Sequence, residues 1–122
     1  MTNYYDKVLD YIETDCTKEL ELYGFELADR RRLPEMIDAT FTYELKDEHW
    51  IALLYIDANQ YGYEPSFCRI NFRLWIKQWQ GAGSESNLIF EENLKGLEPE
   101  NKKLLVSFKN YFNKVLKFLE ED

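Results

Sequence analysis

The sequence predicts an α+β fold: a helix at each end, an antiparallel meander of three strands between them, and both helices packed on one face of the sheet. Three observations carry that expectation. Residues 39–79 alternate apolar and polar side chains with a period of two, as half-buried strands do. Apolar residues at steps of three and four flank that region on both sides, the spacing of amphipathic helices. At 122 residues with 16% aromatic side chains, the chain has the length of one domain, 1–122, and enough apolar surface to close a core without staples.

The first helix is expected from Tyr4 to Tyr23. Asn3 suits its N-cap, with Asp6 three residues on, close to a capping box. Tyr5, Leu9, Ile12, Cys16, Leu20 and Tyr23 form the stripe that should be buried. Gly24 followed by apolar Phe25 reads as a Schellman ending. A second stripe runs through Asp6, Asp10, Glu13, Thr17 and Glu21, so four carboxylates share one flank. That flank is either an ordinary solvated surface or a docking edge for a basic partner.

Phe25–Ala28 reads as a short edge strand. Arg30-Arg31-Arg32 is a basic cluster in an acidic stretch, expected to pair with nearby carboxylates such as those of the first helix. Its reading as a phosphate site is weak, because no glycine-rich loop accompanies it. Pro34 marks a break before the sheet.

In the first strand of the meander Phe41, Tyr43 and Leu45 alternate with Thr40, Thr42, Glu44 and Lys46. A polar turn, Lys46–His49, leads to the second strand, Trp50–Asp57. Pairing Leu45 with Trp50, Tyr43 with Ala52 and Phe41 with Leu54 keeps apolar residues together. A loop holding Tyr61, Gly62 and Tyr63 leads to the third strand, Phe67–Lys77. Its one face is Cys68, Ile70, Phe72, Leu74 and Ile76; its other is Phe67, Arg69, Asn71, Arg73, Trp75 and Lys77. Face A of the sheet is thus apolar. Face B mixes Ile51, Leu53 and Tyr55 with the arginines and Trp75. It is either covered by the 81–96 segment folding back or open to a partner.

After the glycine- and serine-rich loop 78–86, which begins near Trp79, Leu88–Lys95 reads as a short helix capped by Ser86 and stopped by Gly96. A fourth strand around Leu88–Phe90 is the competing reading. Pro99 suits the first turn of the last helix. That helix runs to about Leu119 with Leu104, Phe108, Phe112, Val115 and Leu119 inward. Five lysines (102, 103, 109, 114 and 117) lie around the rest, and Glu120–Asp122 should fray against the helix dipole.

The net charge is −8, and it is uneven. Residues 1–61 hold 14 acidic and 6 basic side chains, a net of −8, while residues 62–122 hold nine of each. Such a field repels nucleic acid and draws basic partners, which makes direct nucleic-acid binding an unexpected role. No apolar run reaches the length of a membrane span. The N-terminal residues lack the apolar centre of a secretory leader, so the expected setting is the cytoplasm, with Cys16 and Cys68 reduced in the core.

Signals for catalysis are sparse. The one histidine, His49, falls in a turn, and no serine or cysteine has an obvious histidine partner. There is no Cys-x-x-Cys, EF-hand spacing, Walker lysine or dinucleotide glycine motif, so no metal or cofactor is expected. Paired carboxylates leave no sequence signature, which keeps a small carboxylate hydrolase as a remote alternative.

The expected function is therefore non-enzymatic protein binding. Its leading form is a small acidic inhibitor of the immunity or antitoxin type, which neutralises a basic effector by occluding its anion-binding site. Asp6, Asp10, Glu13 and Glu21, with the loop tyrosines Tyr61 and Tyr63, are the candidate contacts. The alternative is a dimeric acidic chaperone for a secreted or effector protein. It would use the second surface, Ile51, Leu53, Tyr55, Phe67, Arg69, Arg73, Trp75 and Trp79, for a homodimer or an added client strand.

Overall fold

The structure, a computed structural model, describes residues 4–32, 38–48, 50–60, 68–78, 86–99 and 101–120. Asn3, Pro34, His49, Tyr61, Gly62, Tyr63, Phe67 and Trp79 lie outside the described residues, as do most of the loop 78–86 and the last two residues.

The N-terminal helix has the expected extent with an unexpected interior. It comprises α1 (Tyr4–Tyr11), a π-helical turn (Ile12–Cys16) and α2 (Thr17–Leu22). Tyr11, Cys16 and Thr17 all keep right-handed helical angles, so the ladder loosens by one residue without breaking. Tyr5, Val8, Leu9, Ile12, Cys16 and Leu20 are buried and Tyr23 is half-buried. The helix ends on the expected Schellman motif: Phe25 N–H donates to the Leu20 carbonyl at 3.1 Å, and Gly24 N–H to that of Glu21 at 3.0 Å. Gly24 takes φ +94°, a conformation open to glycine and strained for other residues.

Five strands follow, two more than the three-strand expectation: β1 (Glu26–Arg32), β2 (Asp38–Lys46), β3 (Trp50–Gln60), β4 (Cys68–Gln78) and β5 (Ser86–Leu97). They form one antiparallel sheet in sequence order, a pure meander. The edge strand anticipated at residues 25–28 is longer, because it takes in the arginine cluster and pairs along β2 from Glu26↔Glu44 to Arg32↔Ala39.

The expected helix at Leu88–Lys95 is replaced by β5. Phe90 and Leu94, spaced by four, satisfy a helix face and a strand face equally. Pairing decides between them. Leu74↔Phe90 and Ile70↔Leu94 place both on face A, Arg73↔Glu91 sets opposite charges across the ladder, and a bulge accommodates Ile89.

The β2–β3 register is displaced by two residues from the expected one: Leu45 pairs with Ala52, Tyr43 with Leu54 and Phe41 with Ile56. Asp47 N–H donates to the Trp50 carbonyl at 2.9 Å, so the turn is tighter than the Leu45–Trp50 pairing required. An even displacement keeps every side chain on its expected face.

Pro99 does not open the last helix. Its carbonyl accepts from the N–H groups of Tyr4 (2.8 Å) and Tyr5 (3.2 Å), satisfying two otherwise orphan donors at the start of α1. The last helix, α3 (Lys103–Glu120), is capped by Asn101, whose Oδ1 accepts from Lys103 N–H at 2.8 Å. Leu104, Phe108, Phe112 and Val115 are buried, as their spacing implies.

Both helices pack on face A and close one core with Phe41, Tyr43, Leu54, Ile56, Ile70 and Phe72. Phe108 sits at its centre, 5.4 Å from the Phe72 ring and 5.9 Å, edge to face, from Tyr11. α2 packs on β1, α3 on β5, and α1 on α3.

Candidate functional site

Strand order follows sequence order, so β1 and β2 lie on one side of β3 and β4 and β5 on the other, with α2 packed on β1, α3 on β5, and α1 against α3. The charge asymmetry read along the chain becomes a contrast between the two helical segments. Tyr4–Leu22 carries six acidic and two basic residues, whereas α3 carries four lysines against one glutamate.

The acidic stripe of the first helix is only partly available. Asp6, Asp10 and Glu21 are exposed. Glu13 is drawn toward the sheet, with Arg30 of β1 3.5 Å from its carboxylate, which is one of the pairings expected of the arginine cluster. Thr17 is half-buried, its hydroxyl 2.9 Å from that of Tyr43. The π-helical turn breaks the phase of the stripe between Asp10 and Glu21.

Face B carries two distinct regions, and among the described residues no element lies across it. β5 continues the sheet beside β4 instead of folding back over it, which corrects the expectation of cover for residues 86–96; residues 81–85 lie outside the described residues. Toward the β2–β3 turn stand Ile51, Leu53, Tyr55 and Trp75, with Leu88 across the ladder from Trp75. Ile51 is buried, Leu53, Tyr55 and Trp75 are half-buried, and Leu88 is 42% exposed. All five stand apart from the core on face A.

Toward the opposite end of the strands face B is polar. Arg31 of β1, Thr40 of β2, Asp57 and Asn59 of β3, and Arg69, Asn71 and Arg73 of β4 line a concavity of about 410 Å³. Arg73 donates to Asp57 Oδ2 at 2.8 Å, and its guanidinium lies 5.3 Å from the centre of the Tyr55 ring. Asn71 Oδ1 and Arg73 Nε are buried and have no hydrogen-bond partner among the described residues. Sequence reasoning placed Arg69 and Arg73 on this face. It missed Arg31, Thr40, Asp57, Asn59 and Asn71 as their companions, which only the register brings together.

An apolar cleft of about 400 Å³ opens on face A beside the ends of α2 and α3, between Tyr23, Leu45, Trp50, Ile76, Ile89 and Leu119. Half-buried positions at strand ends were its only sequence signal. A smaller recess of about 220 Å³ brings Glu26 and Glu44 together beside Lys46, whose Nζ lies 3.3 Å from Glu44.

Cys16 and Cys68 are buried and not bridged. Burial first, and the carboxylates of Asp15 and Glu19 next, push the Cys16 thiol well above its ordinary range, opposite to the shift a nucleophilic cysteine needs. Among the described residues no group of three or more His, Cys, Asp or Glu is placed to hold a metal ion. No helix among them is long and apolar enough to cross a membrane. No family model, curated protein or solved structure matches this chain.

Proposed function

We propose that this chain is a non-enzymatic protein-binding protein of the inhibitor type, which draws a basic effector to its acidic side and covers it there. The observation that supports the reading is the acidic N-terminal helix, six acidic against two basic residues, set beside the lysine-bearing α3. A field of one sign concentrated on one side orients an approaching basic protein as well as attracting it. Asp6, Asp10 and Glu21 are exposed on that side and are the contacts proposed; Glu13, shared with Arg30, would contribute less. A cytoplasmic setting belongs to the same reading.

The test is affinity capture from host lysate at low and high salt, comparing the wild type with the triple variant Asp6→Lys, Asp10→Lys, Glu21→Lys. A basic protein retained by the wild type and lost from the variant is the expected result. Equal retention by both would remove the acidic side from the interface.

One observation favours a second reading, a chaperone-type homodimer through face B. Its β1–β2 part presents Glu26, Asp29 and Glu44 with Arg31 and Lys46, and its β4–β5 part Arg69, Arg73 and Lys77 with Glu91. A two-fold axis along β3 would set each β1–β2 part over its partner's β4–β5 part, facing charges of both signs with their opposites. Five strands about 4.8 Å apart and about ten residues long cover roughly 20 by 33 Å, close to the ~800 Å² that one partner gives to a standard interface.

A further inference from the structure

We propose that the concavity at the polar end of face B binds the phosphate group of a small molecule. This goes beyond the partner-binding reading and does not depend on it. The arginine cluster is divided by strand alternation. Arg30 points toward the helices and meets Glu13, whereas Arg31, one residue on, lines the concavity with Arg69 and Arg73. Among the described residues three arginines and one carboxylate, Asp57, line the concavity, in a chain of net charge −8. A phosphate carries the charge that an arginine cluster attracts.

The polar groups suit an oxyanion. Asp57 engages the Arg73 terminal nitrogen at 2.8 Å, which fixes the guanidinium and leaves Nε as a buried donor without an acceptor among the described residues. Asn71 is likewise unsatisfied at Oδ1, and its amide can turn to present the NH2 group instead. Buried polar atoms in a native protein are nearly always paired, and both unpaired ones belong to residues that line this concavity. The Thr40 hydroxyl adds a donor from a third strand. Donors that converge from β1, β2 and β4 fit a tetrahedral group better than a planar carboxylate, which one arginine fork saturates. The volume of about 410 Å³ fits a small molecule, and the acidic field of the chain disfavours a long polyanion.

The experiment is an NMR titration of the isotopically labelled full chain with inorganic phosphate and with a small phosphate monoester, against sodium chloride at matched ionic strength and against acetate. Saturable shifts at the Arg73 Nε–H and the Asn71 side-chain amide are expected with both phosphates. Binding should weaken about tenfold or more in Arg31→Gln and in Arg69→Gln, as loss of a charge-assisted hydrogen bond implies, and stay unchanged in Lys109→Gln. Should Arg69→Gln lose its fold, Arg31→Gln on the exposed edge strand carries the test. Linear shifts, equal shifts with chloride or acetate, or shifts confined to the lysines of α3 would overturn the proposal. Binding of the monoester but not of inorganic phosphate would support it and assign recognition to the attached group as well.

Discussion

The hydroxyl oxygens of Thr17 and Tyr43 lie 2.9 Å apart, and both also reach the carbonyl of Ile12, at 3.0 and 3.3 Å. This group stands where the π-helical turn gives way to α2. The Ile12 carbonyl accepts the π-helical bond from Thr17 N–H, and the buried tyrosine of β2 adds a further donor to it. The same contact draws Thr17 out of the acidic stripe and pins the helix to the sheet.

Tyr43→Phe removes a hydroxyl from that group while keeping the ring. The expected cost is about 1–2 kcal/mol of stability, since the Ile12 carbonyl and Thr17 hydroxyl each lose a partner in a buried setting. Urea unfolding measures it. A neutral effect would mean that the π-helical turn relaxes to a regular helix without this anchor.

Gly24→Ala should destabilise the chain by roughly 1–2 kcal/mol, through the left-handed φ and a contact that the side chain cannot avoid. A β-carbon there would stand 3.0 Å from Leu45 Cδ1. Thermal melting of this variant against the wild type decides it.

Stability should fall under alkaline conditions. Burial raises the pKa of the Cys16 thiol, with added repulsion from Asp15 and Glu19, and burial likewise raises that of the Tyr43 hydroxyl. Groups raised on folding stabilise the native state at pH values below their unfolded pKa, and that contribution is lost as pH rises beyond it. The ordinary values are 9.0 for the thiol and 10.0 for tyrosine, so the decline should begin near the first and steepen past the second. Denaturant melts across that range should show it, with a shallower decline in Tyr43→Phe. A flat profile would contradict the burial of both groups.

Trp75→Ala separates the two readings of face B. Trp75 is half-buried and stands outside the core, so its loss should cost under about 1 kcal/mol beyond its local contacts. Sedimentation should show the wild type as a monomer of 14.7 kDa if the inhibitor reading holds. A dimer that Trp75→Ala dissolves would transfer the argument to the homodimer.

Much of the fold was legible because alternation is a strong local signal. Cys68 to Ile76 on one side and Arg69 to Lys77 on the other fall as the sequence implies. The Leu20–Phe25 helix ending was legible for the same reason, since Gly24 has few other roles after an apolar stripe. Residues 88–95 were not legible, because a spacing of four fits both periods and the deciding contacts with β4 are distant in sequence. Pro99 misled because its role is played by its carbonyl and not its ring. Of the candidate surfaces, the acidic side followed from composition. The arginine concavity did not, since Arg31 and Asn71 are joined only through the registers of three intervening pairings.

Charge on the N-terminal helix is proposed to bring a basic partner to this protein. The most direct test is the association rate of the captured partner with the wild type and with the Asp6→Lys, Asp10→Lys, Glu21→Lys variant, followed across a salt series. Fast association that falls steeply with salt is expected for the wild type, and slow association with a flattened dependence for the variant. Identical rates and identical salt slopes for the two proteins would contradict it.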